Sequence, residues 1–306
     1  MSEESSNKRN APQGDRQADL FAPLIADLRL RDQQDTMEHA FLSLSKRPRT
    51  EPIEYRNADG SVWVKVSPNP EHGMANIYDW DVIIWIASQI RAAIDRGESP
   101  PRTLEFTPYN LLKSIRRRHS KRDYDRLRKS FERLAATYIR TNVRRPDGRE
   151  QKRGFSWLDE WEELTDEGGK PTCWRATLCQ WLWEGVKDER LILSVDEDYF
   201  LLTGGTERWL YRVARKHAGR QASGYSFRMH RLYVKSGSTG TARKFAYRMR
   251  KIVGRDELPE YALELREDDA GNERVWMCRR SLLPETDPRW EAPSWDEQKY
   301  LSAEGE

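Results

Sequence analysis

Lys244, Arg248, Lys251 and Arg255 step along the chain by four, three and four residues, and so do Arg122, Arg126, Lys129 and Arg133. At 100° per residue each row lies on one side of a helix, opposite Phe245 and Met249 in the first case and Leu127 and Phe131 in the second. Such a helix packs its apolar face on its own domain and offers the other to a polyanion. Arg bonds bidentately to guanine N7 and O6, whereas Lys more often acts as a phosphate charge. Arg243, Lys244 and Arg248 are therefore assigned nearest the bases, with Tyr247 among them, and Lys251 and Arg255 to the backbone. Lys235, Ser238, Thr239 and Thr241 precede this helix and offer charge, hydroxyls and amides to a phosphate oxygen, although plain N-capping explains the hydroxyls equally well. Arg144, Arg145, Arg149, Lys152 and Arg153 surround a turn after the other basic helix and would favour phosphate, whereas Asp268 and Asp269 sit at the matching turn downstream.

The net charge of +3 conceals this clustering. Gly205 to Arg255 holds fourteen Lys and Arg against one acid, Glu207, and Lys113 to Arg153 holds sixteen against five, so the rest of the 306-residue chain is strongly acidic. Clustered charge is the footprint of nucleic-acid binding. Enzyme classes find little support. There is no G-x-x-x-x-G-K-[ST] loop, and the five histidines, His39, His72, His119, His217 and His230, form no H-x-H or H-x-x-x-H pair. Cys173, Cys179 and Cys278 show no C-x-x-C spacing and are read as reduced and structural. No catalytic residue, cofactor or metal is expected. Neither an apolar membrane span nor a signal peptide is visible, which points to a cytoplasmic protein.

The elements that would carry the two basic helices follow from periodicity. A core helix is expected over Val82 to Ile94, ending near Gly97, a second from Thr107-Pro108, and a third from a capping box at Ser120 and Asp123. Alternating residues at Ile139 to Val143 and at Phe155 to Trp161 then read as a hairpin, giving the winged-helix order. After a tryptophan-rich linking region (Trp157, Trp161, Trp174, Trp181, Trp183), mainly core by their apolar or acidic surroundings, the order recurs: helices at Glu207 to His217, Tyr225 to Val234 and Thr239 to Val253, then a hairpin across Asp268 to Asn272. The expected fold is α+β, with tandem winged helix-turn-helix domains and small antiparallel sheets. Residues 1–35 read as mostly disordered, 36–200 as the first domain, 201–280 as the second and main DNA-binding domain, and 281–306 as an acidic tail.

Met37 to Lys46, Ala75 to Asp79, Arg102 to Tyr109, Glu207 to Arg220 and Lys235 to Thr239 together resemble the replication initiator protein A family of bacterial plasmids, over roughly residues 36 to 280. The resemblance implies an initiator that binds repeated double-stranded DNA sequences at a plasmid origin, helps to open it, and recruits the host initiator and replicative helicase. It also implies homodimers that repress their own gene, with the first domain as dimer surface. A winged-helix transcription regulator without a replication role, or an adaptor with basic faces for acidic partners, would share the same charge pattern.

Overall fold

The computed structural model describes residues 28–144, 153–165, 167 and 171–291. In chain order its elements are β1 (Arg31–Gln33), α1 (Gln34–Glu38), β2 (Ile53–Arg56), β3 (Trp63–Ser67), α2 (Trp80–Asp95), β4 (Thr103–Phe106), α3 (Pro108–Ser114) and α4 (Lys121–Ala136). There follow β5 (Tyr138–Thr141), β6 (Arg153–Phe155), β7 (Leu158–Thr165), β8 (Pro171–Leu178), α5 (Gln180–Lys187) and β9 (Ile192–Ser194). The last are α6 (Gly205–His217), β10 (Tyr225–Arg228), α7 (Met229–Ser236), α8 (Ala242–Arg255), β11 (Tyr261–Glu267) and β12 (Glu273–Arg279).

One arrangement occurs twice. Elements α2-β4-α3-α4-β7-β8 and α6-β10-α7-α8-β11-β12 follow the same order, and each closes an antiparallel three-stranded sheet with its last strand in the middle, β4-β8-β7 and β10-β12-β11. These are two winged-helix units, in an α+β fold. The helix starts read from the sequence carry caps: Thr107 accepts from the Asn110 amide at 3.4 Å, and Asp123 accepts from the Ser120 amide at 3.1 Å.

Several elements differ from the sequence reading. Tyr225 to Arg228 is a strand, and the helix begins only at Met229. The alternation read at Ile139 to Val143 is a true strand signal, with the strand at Tyr138–Thr141, but it pairs with β3 and β6 in a separate sheet, β2-β3-β5-β6, so it is no part of a wing. The first wing is β7–β8 instead. The tip residues Arg145, Arg149 and Lys152 lie outside the described residues. The tryptophan-rich stretch is not a linker: Trp157, Trp174 and Trp181 are buried, and Phe41, Trp80 and Trp181 all lie within about 6 Å of the Trp157 ring. Residues 28–35, grouped with the N-terminal segment in the sequence reading, supply β1, which pairs with β9, and the start of α1. In the acidic tail Leu283 is buried and Arg289 bonds Asp287 and Glu264.

The two units share one continuous apolar core running from Leu30 to Met277. Helix α6 joins them. Arg208 and Arg212, one turn apart on α6, are both about 1% exposed. Arg208 donates to Asp81 of α2 at 2.6 and 2.8 Å and to the carbonyls of Leu202 and Phe200. Arg212 donates to Asp32 at 2.6 Å and to the Thr36 hydroxyl at 2.7 Å, while Trp80 Nε1 donates to Asp32 at 2.9 Å. These bonds of Arg208 and Arg212 all run to the first unit or to the chain between the two, so the register of the units is fixed rather than set by a flexible tether.

His39, just past α1, packs its ring on Tyr55 at 5.5 Å with Nδ1 buried and unbonded. Burial pushes its pKa down to about 4 from 6.5. The folded protein therefore keeps His39 neutral down to about pH 4, whereas the unfolded chain takes up the proton near 6.5. Stability from this site is complete above pH 6.5 and is lost as pH falls through that window, by up to about 3 kcal/mol. Urea unfolding at pH 7 and pH 4.5 should show the loss, and His39→Phe should abolish most of the difference.

Candidate nucleic-acid interface

Helix α8 is built as the sequence pattern requires. Thr241 caps it by accepting from the Lys244 amide at 3.3 Å, and Phe245, Met249, Ile252 and Val253 are buried against the rest of its unit. Arg243, Lys244, Tyr247, Arg248 and Lys251 are exposed on the other side, with Tyr247 57% exposed. Among the described residues none of these four cations forms an ion pair. The Lys251 ammonium stands 4.8 Å from the Tyr247 ring centroid. Arg248 reaches back toward the turn, where a Cβ at Gly240 would lie 3.1 Å from its Nη2.

Neighbouring cations behave differently. Arg250 is bonded to Glu273 at 2.7 and 2.8 Å, and Arg228 to Asp268 at 2.8 Å, so two arginines neutralise Asp268 at the second wing tip and Glu273 beside it. A surface that pairs its arginines where acids are near, and leaves one helical row bare, has that row available to an external anion.

The turn before α8 places the remaining candidates. Gly237, at φ +60, closes α7 in the left-handed region. Ser238 accepts from the Gly240 amide at 3.4 Å, Thr239 is exposed, and Thr241 is engaged in its cap. Lys235 is a different case, because only 4% of it is exposed and its ammonium bonds to Glu38. Burial alone would raise the Glu38 carboxyl, but His217, whose Nε2 lies 2.7 Å away, and Lys235 together bring it down to about 2. Lys235 therefore ties the second unit to the first and is not presented to DNA. Arg255 is likewise engaged, with Glu207 and with Glu257 at 3.3 Å.

On α4 the row splits. Arg122 and Lys129 are exposed and form no ion pair among the described residues, Arg126 stands 3.5 Å from Asp123, and Arg133 is bound bidentately to Asp79 at 2.6 and 2.8 Å. Arg126, Lys129 and Arg133 line a groove of about 360 Å³ together with Lys46 and Tyr78. Arg149 and Lys152 lie outside the described residues. The sequence reading passed over Arg118, Lys121 and Arg231, which are exposed on the two helix-turn-helix segments and whose signal was only local charge density.

Among the described residues no group of three or more His, Cys, Asp or Glu could hold a metal ion, and no helix is long and apolar enough to cross a membrane. Cys179 and Cys278 are buried, and burial pushes the Cys179 thiol up to about 12.

The fold defines a tandem winged-helix protein with one exposed cationic helix face. Residues 31–263 match the family model for Replication initiator protein A, and the chain belongs to that family. A relative from Wigglesworthia glossinidia brevipalpis, named "Putative replication protein", is 33% identical over 235 residues, spanning 76% of this chain and 83% of its own. Among solved structures, a selenomethionine derivative of domains 2 and 3 of RctB shares the fold with a TM-score of 0.56 at 12% identity, covering 80% of this chain and 97% of that one.

Proposed function

We propose that this replication initiator binds repeated duplex sequences at a plasmid origin, with α8 in the major groove as the principal reading helix and α4 as a second, more backbone-directed contact. The observation that carries the reading is the bare cationic row of α8 set opposite its buried face. Phosphates supply affinity and base edges supply selectivity. Because the units are locked through Asp81, Asp32 and Glu38, both helices meet DNA in a fixed register. Binding energy spent in that register is the source of strain that opens an adjacent A·T-rich segment. Recruitment of the host initiator and replicative helicase, and autorepression by a homodimer in the cytoplasm, complete the proposal.

A plasmid carrying only the origin region and a marker should replicate when the protein is supplied in trans and fail when it is not. Replication without the protein, or repression of the gene without any support of replication, would move the reading to a transcription regulator.

Within the interface two residues should behave differently. Arg243→Ala should cost about 1–3 kcal/mol on the cognate site and much less on scrambled DNA, relaxing preference at one base position. Lys251→Ala should weaken both DNAs equally and reduce the salt slope by about 1. Anisotropy titrations on the two DNAs over a salt series separate these outcomes.

A further inference from the structure

The sheet β2-β3-β5-β6 has no counterpart in the second unit and takes no part in either wing. Its inward residues, Ile53, Tyr55, Val64, Val66, Ile139 and Thr141, are buried. Its outward face carries Arg56, Trp63, Lys65, Tyr138 and Arg140. Register places Arg56 opposite Trp63, Lys65 opposite Arg140, and Ser67 opposite Tyr138, so aromatics stand near two ends of the face with cations between them. Glu54, the acid on this face, bonds Lys65 at 2.7 Å, and Arg56 and Arg140 form no ion pair among the described residues.

Tyr138 is 49% exposed, and its ring lies across Gly154 on the next strand, where a Cβ would stand 2.8 Å from Cζ. Glycine at that position lets the ring lie on the sheet instead of standing off it, leaving one aromatic face open. Trp63 and Tyr138 are separated along the strands by four residues, about 13 Å, which leaves room for more than one base. An open tyrosine ring and a half-buried tryptophan, set beside Arg140 and Arg56 with no ion pair among the described residues, suit stacked bases on a phosphate chain, and a duplex buries its base faces where such rings cannot reach them.

We propose that this outward sheet face binds single-stranded DNA, and so holds a strand released when the origin opens. The site is separate from α8 and does not depend on the duplex reading.

The test uses the full chain and a labelled oligodeoxythymidylate in anisotropy titrations, beside the duplex. Tyr138→Ala and Arg140→Glu should each weaken oligonucleotide binding about tenfold or more, as expected for losing one stacking or phosphate partner, while duplex affinity and melting temperature stay unchanged. Tyr138→Phe should restore binding, because the ring and not the hydroxyl is required. Arg248→Glu should do the reverse, sparing the oligonucleotide and losing the duplex. Unchanged oligonucleotide affinity in both sheet variants, or no binding by the unaltered protein, overturns the proposal. So does a shift from dimer to monomer in sedimentation with oligonucleotide binding intact, which would make the face an interface between copies of this chain. If instead the duplex shows no sequence preference while the sheet variants lose the oligonucleotide, the α8 reading fails and this one stands.

Discussion

Arg212→Met should destabilise the protein by about 3–5 kcal/mol, because it leaves the Asp32 carboxylate buried with no cation against it. The Trp80 indole and the Gln33 amide still donate to Asp32 at 2.9 and 2.7 Å, but neither carries charge. Arg208→Met should cost less, since Arg117 also donates to Asp81 at 2.8 Å and remains after the substitution. Adding Asp32→Asn to Arg212→Met should recover part of the loss by removing the stranded charge while keeping an acceptor for Trp80. Urea unfolding followed by tryptophan fluorescence and by far-ultraviolet circular dichroism reads all three. The unaltered protein should unfold in one transition by both probes, because the core runs through both units. Two separated transitions, or an Arg212→Met cost below about 1 kcal/mol, would contradict a shared core locked by buried ion pairs.

Arg248→Glu should reduce specific DNA affinity by about a hundredfold or more while leaving the melting temperature nearly unchanged. Loss of one bidentate base contact is worth about 1–3 kcal/mol, and the new carboxylate adds repulsion from phosphate. The side chain is exposed and forms no ion pair among the described residues, so stability should move by no more than about 0.5 kcal/mol. Arg255→Glu is the matched control. That guanidinium is already held by Glu207 and Glu257, so its reversal should disturb folding more than binding. Equal loss of binding in both variants would mean that the whole basic surface acts without a preferred face.

The parts of this fold that were legible in the sequence are those where one periodicity dominates. The apolar stripes of α4 and α8, the Thr107 cap and the Ser120–Asp123 box needed no tertiary information. The boundary at Met229 was hidden because no capping side chain marks it: Arg228 occupies the cap position, and its side chain makes no bond to the helix amides. Ile139 to Val143 announced a strand, but alternation does not name a partner, and β3 lies some seventy residues upstream.

The charge count misled in a physical way. Arg208, Arg212 and Lys235 all belong to the dense basic block, yet all three point inward. In α6, at 100° per residue, Trp209, Leu210, Tyr211, Val213 and Ala214 cover little more than half of the circumference, and Arg208 and Arg212 fall on the remaining side, where they meet Asp81 and Asp32. Nothing in the local pattern of α6 marked them as buried, because the acids that pair with them lie more than a hundred residues upstream. In α8 the apolar residues likewise occupy one side, but there Arg243, Lys244, Arg248 and Lys251 stay exposed with no ion pair among the described residues, while Arg250 and Arg255 are paired.

The most direct test of the central claim is anisotropy of the purified protein on DNA flanking its own gene, beside a scrambled duplex, over a salt series. The account predicts tight binding to repeats in the flank, a steep salt slope, a preference of about a thousandfold or more over the scrambled DNA, and loss of that preference in Arg248→Glu. Equal weak binding to both duplexes, unaltered by Arg248→Glu, would contradict it.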